Sequence, residues 1–188
     1  MTKNVFWDSC VFIAYLNNEE AYRNELGYIS NVLGDSTYQV FTSGIALAEI
    51  SPKKIRKSDQ KTFTDFINLF KQKIVIIPPG PNICTNAGML KDYPYSRGTS
   101  NRRVLTTGDA IMLATALELT GNSYGIELEA FHTFDNGRGK GNPEGRGVPL
   151  LDYHLWVGEN PSNLIQEAIN LNRCRPRSPN LDIKRQSS

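Results

Sequence analysis

Two kinds of hydrophobic pattern alternate along this chain. Short continuous apolar runs, such as Ile74–Ile77, are typical of buried strands. Apolar residues three or four positions apart, such as Phe63, Phe66 and Phe70, are typical of helices that bury one face. The runs predict strands over residues 4–7, 38–42, 74–77 and 129–134, with a last short strand over 148–151. The spaced patterns predict helices from residue 9 and over 20–33, 45–50, 58–72, 82–91, 108–119 and 161–171, with a loop over 93–103.

The order of these elements predicts an α/β fold. Strands that alternate with helices indicate parallel pairing, because parallel strands need crossover connections. We therefore expect three layers around a mostly parallel central sheet of four to five strands. One domain is predicted over residues 1–172, followed by a polar, proline-containing tail over 173–188. In such folds ligands bind beyond the carboxyl ends of the strands.

Composition narrows the class of protein. The chain has 188 residues and a formal net charge of only +2, so a nucleic-acid partner would have to be recognised by local basic clusters. Its three cysteines form no zinc motif, and we interpret Cys10 and Cys84 as small buried hydrophobic residues. No apolar run approaches the ~18 residues of a membrane span. We expect a soluble cytoplasmic protein with no membrane partner.

Acidic residues lie at or near the carboxyl ends of the predicted strands. Asp8 ends the first strand and Asp135 ends the fourth, while Glu49 follows the second and Asp109 opens the helix that leads to the fourth. Four carboxylates held close together repel one another, and a hard divalent cation with oxygen ligands removes that repulsion. The pattern predicts a site for Mg²⁺ or Mn²⁺.

Each acid also has a purely structural interpretation. Asp8 suits the N-cap of a helix, and Asp109 suits the third helical position of a capping box that begins at Thr106. Asp135 is followed by Asn-Gly, as in a turn, and Glu49 suits a solvated helix face. The coincidence of four acids at matching positions favours a shared site.

Four segments resemble successive motifs of the PIN-domain family: Phe6–Ser9, Ser43–Glu49, Gly108–Glu118 and Thr133–Asp135. The third is the most specific, with an Asp-Ala pair followed by Ala-Thr-Ala-Leu. The resemblance covers roughly residues 4–155. It implies a Rossmann-like sheet and metal-dependent cleavage of RNA. Many members of the family are toxins of bacterial toxin–antitoxin pairs, so an antitoxin and a homodimer are among the expected partners. The loop over 137–147 and the C-terminal extension depart from the family pattern.

The resemblance to the PIN-domain family implies a role for each of the four acids and their neighbours. Asp8, Asp109 and Asp135 are interpreted as metal ligands, and Glu49 as a ligand or as the residue that positions the attacking water. Ser9 and Thr133 are expected to orient carboxylates through their hydroxyls. Basic clusters beside the acids are expected to bind the RNA backbone, with ordinary solvated surface as the alternative. These clusters are Lys53, Lys54, Arg56 and Lys57, then Arg97, Arg102 and Arg103, then Arg138, Lys140 and Arg146.

Other functions compete with this one. A haloacid-dehalogenase-like phosphatase needs a second aspartate two residues after the first, where this chain has Cys10. A flavodoxin-like or response-regulator protein would share the sheet, but no partner lysine is evident. The alternative of another class is a non-catalytic PIN-like module that binds nucleic acid or serves as a scaffold. Strand alternation predicts that His132 points away from Phe131 and Thr133, and His154, among aromatic residues, is expected to serve packing rather than catalysis.

Overall fold

A five-stranded parallel sheet flanked by helices forms the centre of the molecule in the computed structural model, which describes residues 2–59, 61–97, 101–121, 124–137 and 147–177. The sheet strands are β1 (Lys3–Trp7), β2 (Tyr38–Ser43), β3 (Ile74–Ile77), β6 (Leu128–His132) and β7 (Arg173–Cys174), and β4 (Ser96–Arg97) pairs with β5 (Asn101–Arg102) as a separate hairpin. The helices are α1 (Ser9–Leu16), α2 (Arg23–Gly34), α3 (Ala46–Glu49), α4 (Phe63–Leu69), α5 (Pro81–Asp92), α6 (Thr107–Thr120) and α7 (Asn163–Asn170). Turns of 3-10 helix cover Glu20–Tyr22, Pro52–Lys54 and Tyr153–Trp156.

The strand order, β3-β2-β1-β6-β7, places the first strand in the middle of the sheet. Val5 of β1 lies opposite Val40 of β2, and Phe6 lies opposite Phe131 of β6. Every pairing in this sheet is parallel, so all five strands end at the same edge. The predicted α/β fold with a parallel central sheet is confirmed.

The core explains why β1 and α6 lie at the centre. Val5, Phe6 and Trp7 are completely buried, as expected for a strand with neighbours on both sides and helices above and below. Helix α6 buries eight of its residues and packs against α5 and β2. A helix that is apolar on all sides is stable only when it is enclosed in this way. The first turn of α6 is thereby fixed against the sheet edge.

Three segments differ from the sequence prediction in the type of element, besides shifts in the bounds of several helices. The loop predicted over 93–103 contains the β4–β5 hairpin. The strand predicted over 148–151 is absent from the described chain, where this segment makes only single backbone contacts, such as Val148 N–H to the Val104 carbonyl at 3.2 Å. Pro149 has no N–H to donate to a ladder, which interrupts a strand at this point.

The third difference concerns the C-terminal segment. Arg173 and Cys174, assigned from the sequence to a tail that begins at 173, instead form the edge strand β7 and pair with Phe131 and His132. Two polar or basic residues carry no alternating pattern, so only the neighbouring strand reveals their conformation. Among the described helices, none has the length and apolar character needed to cross a membrane.

Candidate active site

Asp8 lies directly after the central strand and is held by three side chains. Its Oδ2 accepts hydrogen bonds from Thr133 Oγ1 at 2.7 Å and from Cys10 Sγ at 3.0 Å, and its Oδ1 accepts one from Ser9 Oγ at 3.3 Å. Only 3% of the residue is exposed. Although Asp8 occupies the N-cap position of α1, its side chain makes no capping hydrogen bond. Asp8 is therefore the N-cap residue by position, as predicted, while its carboxylate is occupied by the three side-chain hydrogen bonds.

Asp109 stands in the first turn of α6. Thr106 caps this helix by accepting a hydrogen bond from the Asp109 N–H at 3.2 Å, and its hydroxyl donates to Asp109 Oδ2 at 2.5 Å. Burial raises the pKa of Asp109 to about 7; the Thr106 hydrogen bond opposes this shift, and the charges of Asp8, Asp135 and Glu49 add to it. The capping role predicted for Thr106 is present, but the Asp109 carboxylate also belongs to a cluster of acids.

Glu49, the last residue of α3, projects its carboxylate over the start of α6. A Cβ added to Gly108 would lie only 1.9 Å from Glu49 Oε1, so the glycine leaves room for this carboxylate beside Asp109. Burial raises the pKa of Glu49, a hydrogen bond with Ser9 lowers it, and the charge of Asp8 raises it further. The side chain is half-buried, which argues against a merely solvated helix face.

Asp135 follows β6 and is fixed by backbone groups. Its Oδ1 accepts from the Gly137 N–H at 2.9 Å and its Oδ2 from the Leu150 N–H at 3.0 Å. Gly137 has a φ of +71°, which favours glycine, so the turn interpretation of this segment is correct. Burial raises the pKa of Asp135, these two hydrogen bonds lower it, the charge of Asp8 raises it, and that of Arg103 lowers it.

The structure thus brings the four predicted acids to one edge of the sheet, where the charge of Asp8 acts on each of the other three. Thr133 and Ser9, predicted to orient carboxylates, both contact Asp8. Thr133 Oγ1 also accepts the Asp135 N–H at 3.0 Å, so one hydroxyl links two acids. Ser9 also lies near enough to Glu49 to lower the pKa of that carboxylate.

The donor set suits a hard divalent cation, because all four side chains offer carboxylate oxygens. Burial and mutual repulsion also leave the acids short of a compensating positive charge. In the described part of the chain, however, no three His, Cys, Asp or Glu side chains form a group that could hold a metal ion as they stand. The chemistry of the residues fits a cation, while their present arrangement is not a finished coordination shell.

Cys10 contributes to the site in a way that the sequence reading missed. Its thiol donates to Asp8, approaches Thr133 Oγ1 at 3.4 Å and accepts the Phe134 N–H at 3.1 Å. Burial and the neighbouring Asp8 charge hold the thiol pKa well above its usual value, so the group keeps its proton and donates. The available signal was its position two residues after Asp8. Cys84 was also misread, since it is exposed rather than buried.

Two of the predicted basic residues act on the acids. The charge of Lys54 lowers the pKa of Glu49, and that of Arg103 lowers the pKa of Asp135. The Arg103 guanidinium lies 4.1 Å from the centre of the Trp156 ring and donates to the Gly147 carbonyl at 3.1 Å. The remaining predicted residues divide into two groups. Lys53, Arg56, Lys57 and Arg97 are exposed; the side chain of Arg102, and the whole of Arg138, Lys140 and Arg146, lie outside the described residues.

The two histidines lie apart from this chemistry. His132 is buried, and its Nδ1 accepts the Trp7 Nε1–H at 3.1 Å. Burial lowers its pKa to about 4, so the ring is neutral near pH 7. His154, expected to pack among aromatic residues, is exposed on the 3-10 turn that contains it.

Comparison with known proteins adds one finding. A family model described as PIN domain matches residues 5–137, a span that contains all four acids. No curated protein and no solved structure gave a significant match to the chain.

Proposed function

The chain belongs to the PIN-domain family, whose members are generally nucleases, and we propose that it is a metal-dependent endoribonuclease that hydrolyses phosphodiester bonds of RNA. The observation that carries the proposal is the cluster of Asp8, Glu49, Asp109 and Asp135 at the carboxyl edge of the sheet. Four mutually repelling carboxylates in a partly buried place are costly for a fold and useful for binding a cation.

Asp8, Asp109 and Asp135 would hold Mg²⁺ or Mn²⁺, with Glu49 as a further ligand or as the residue that positions the attacking water. When bound, such an ion supplies the Lewis acidity that activates water and stabilises charge on the phosphate. The raised pKa of Glu49 brings this carboxylate nearer to the value that suits a general base at neutral pH. Thr133, Ser9 and Cys10 fix the direction of Asp8, which such chemistry requires.

RNA must approach an edge that is rich in negative charge, so cations have to receive its phosphates. Lys54 stands beside Glu49 and Arg103 beside Asp135, and we propose that both contact the RNA backbone. Trp156 and the Gly147 carbonyl orient Arg103 in advance, whereas Lys54 is exposed. Lys53 and Arg97, both exposed, are proposed to extend this basic surface, and Arg102, Arg138 and Lys140 are proposed from the sequence alone to bind RNA as well.

The test is cleavage of end-labelled single-stranded RNA by the purified chain with Mg²⁺, with Mn²⁺ and with chelator. Asp8→Asn should abolish cleavage, because an amide is a poor ligand for a hard cation. Asp152→Asn is the matched control, since Asp152 is exposed and receives the same chemical change. Wild-type activity in Asp8→Asn, or cleavage in excess chelator, would refute the proposal.

A non-catalytic module that binds nucleic acid or serves as a scaffold is the second candidate. It is favoured by Asp135, whose two carboxylate oxygens both already accept backbone N–H bonds. Calorimetric titration with Mn²⁺ separates the two functions. Binding of Mn²⁺ that is lost in Asp8→Asn supports the nuclease, whereas RNA binding without metal binding or cleavage supports the scaffold.

A toxin role within a toxin–antitoxin pair, exerted in the cytoplasm, belongs to the same proposal, with an antitoxin and a homodimer as its expected partners. Induced expression in bacteria tests it. A nuclease toxin should arrest growth, and Asp8→Asn should not. Normal growth with abundant wild-type protein would contradict the toxin role while leaving the cleavage assay to decide on the nuclease.

A further inference from the structure

Tyr22 and Phe134 form a stacked aromatic pair beside the acids. Their ring centres are 4.0 Å apart and the ring planes differ by 14°. Phe134 is buried and stands between Thr133, which contacts Asp8, and Asp135. Tyr22 covers it from the 3-10 turn before α2 and remains half-buried. Tyr22 is therefore a partly exposed aromatic residue that stacks on Phe134, the chain neighbour of Thr133 and Asp135.

Arg175 follows the edge strand β7 and lies beside the Tyr22 ring. The Cys174 carbonyl accepts the Thr133 N–H at 3.0 Å, so the chain leaves β7 at the carboxyl edge of the sheet. The Arg175 guanidinium lies over the Tyr22 ring, 5.9 Å from its centre and on the side away from Phe134, and 3.6 Å from Glu25. Its side chain is 45% exposed, and ion pairs at such exposure are weak. A phosphate can therefore compete with Glu25 for this guanidinium.

We propose that Tyr22 and Arg175 form a subsite for one nucleotide of single-stranded RNA next to the scissile phosphate, in which the base replaces the Arg175 guanidinium over the Tyr22 ring and its phosphate pairs with Arg175. This subsite depends on the proposed ribonuclease function, and it would bind the RNA substrate of that site. An aromatic face beside an arginine is the combination that binds single strands with little regard to sequence. Bases stacked within a duplex cannot reach the Tyr22 ring, so the subsite selects unpaired RNA.

A scan with abasic nucleotides tests the subsite without relying on protein stability. The substrate is an unstructured RNA with one cleavage position, made in versions that each lack one base near that position. In wild type, one version should show a KM raised about tenfold, which is the loss expected for one stacked base. Tyr22→Leu should raise the KM for intact RNA about tenfold. It should not raise the KM for the sensitive abasic RNA any further, because the base that Tyr22 would bind is already missing from that substrate.

Two variants and a control refine the test. Tyr22→Phe keeps the ring and should restore the KM that Tyr22→Leu loses. Arg175→Gln should raise KM and reduce its dependence on salt, because one phosphate contact is removed. Tyr124→Leu is the matched control, since Tyr124 is 55% exposed and lies beyond the far end of α6.

The outcomes separate this inference from the ribonuclease proposal. Equal KM changes on intact and abasic RNA, or a wild type insensitive to every missing base, would overturn the subsite while the nuclease stands. If wild type cleaves nothing, fluorescence anisotropy of labelled single-stranded RNA decides. A Kd that rises about tenfold in Tyr22→Leu, but not in Tyr22→Phe, supports the subsite, and an unchanged Kd overturns it. If Tyr22→Leu does not fold, the wild-type abasic scan and Arg175→Gln decide in the same way.

Discussion

Asp109→Asn should stabilise the metal-free protein at neutral and alkaline pH while it removes cleavage. The carboxylate lies close to Asp8, Glu49 and Asp135, so neutralising it relieves repulsion from three sides. Asparagine has nearly the same shape, and its amide oxygen can still accept the hydrogen bond that Thr106 donates. The change therefore removes a charge with little disturbance to the packing of α6.

The size and sign of the effect follow from the pKa of Asp109, which burial and the neighbouring charges raise to about 7. An aspartate in the unfolded chain titrates near about 3.9, so the folded protein keeps a proton that the unfolded chain releases. Stability should fall as pH rises from about 4 to about 7, by at most about 4 kcal/mol. Solvent screening of the half-buried group, and the loss of about 0.3–1 kcal/mol from a carboxylate at a helix N-terminus, reduce the expected gain to about 2 kcal/mol.

Thermal melting in chelator at pH 5 and at pH 8 measures this gain. For a chain of this size, about 2 kcal/mol corresponds to about 4–8 °C, present at pH 8 and much smaller at pH 5. Adding Mn²⁺ should raise the Tm of wild type and leave Asp109→Asn unchanged, because only wild type binds the ion well. Asp152→Asn serves as the control at an exposed acid. A variant less stable than wild type at pH 8 would show that Asp109 is not strained by its neighbours.

Three further outcomes are expected. Gly108→Ala would place a Cβ 1.9 Å from Glu49 Oε1 and so displace this carboxylate. Cleavage should therefore fall about 100-fold, while the Tm holds or rises because alanine favours the helix. Gly88→Ala on α5 is the control, since an added Cβ there meets nothing within 4 Å and cleavage should be unchanged. Chelator should stop cleavage, and added Mg²⁺ or Mn²⁺ should restore it. His154→Ala should cleave RNA as wild type does, and loss of cleavage in this variant would contradict a ligand set made only of oxygen atoms. Burial lowers the pKa of His132 to about 4, so the stability that the neutral ring contributes should be lost as pH falls from about 6.5 to about 4. Thermal melting at pH 7 and at pH 4.5 should therefore show a smaller drop in Tm for His132→Gln than for wild type.

The acids could be found from the sequence because their positions are tied to local pattern. Asp8 and Asp135 follow apolar runs directly, and parallel strands bring their carboxyl ends to one edge without further information. Asp109 was recognisable at the start of a strongly apolar helix. What the pattern could not supply was how each carboxylate is held, since Thr133 reaches Asp8 across 125 positions of sequence.

The failures share a physical cause. Arg173 and Cys174 are a strand only because β6 offers them partners, and two residues have no periodicity to read. Tyr22 falls within the helix predicted over 20–33, yet it lies outside α2 and stacks on Phe134 from a separate turn. In each case the decisive contact joins segments far apart in the chain, so local propensity carries no trace of it.

The four acids differ in how firmly the fold holds them, and the difference assigns them separate tasks. Asp8 is bound by three side-chain donors and Asp135 by two backbone N–H groups, so both carboxylates are fixed before any ligand arrives. Asp109 contacts one hydroxyl, and Glu49 ends a helix of four residues above a glycine that leaves it room. A cation that needs closer ligands than the present arrangement offers would therefore draw in Asp109 and Glu49 toward a fixed Asp8. In the proposed metal site, Asp8 and Asp135 would therefore determine where the ion sits, and Glu49 and Asp109 would determine how tightly it is held.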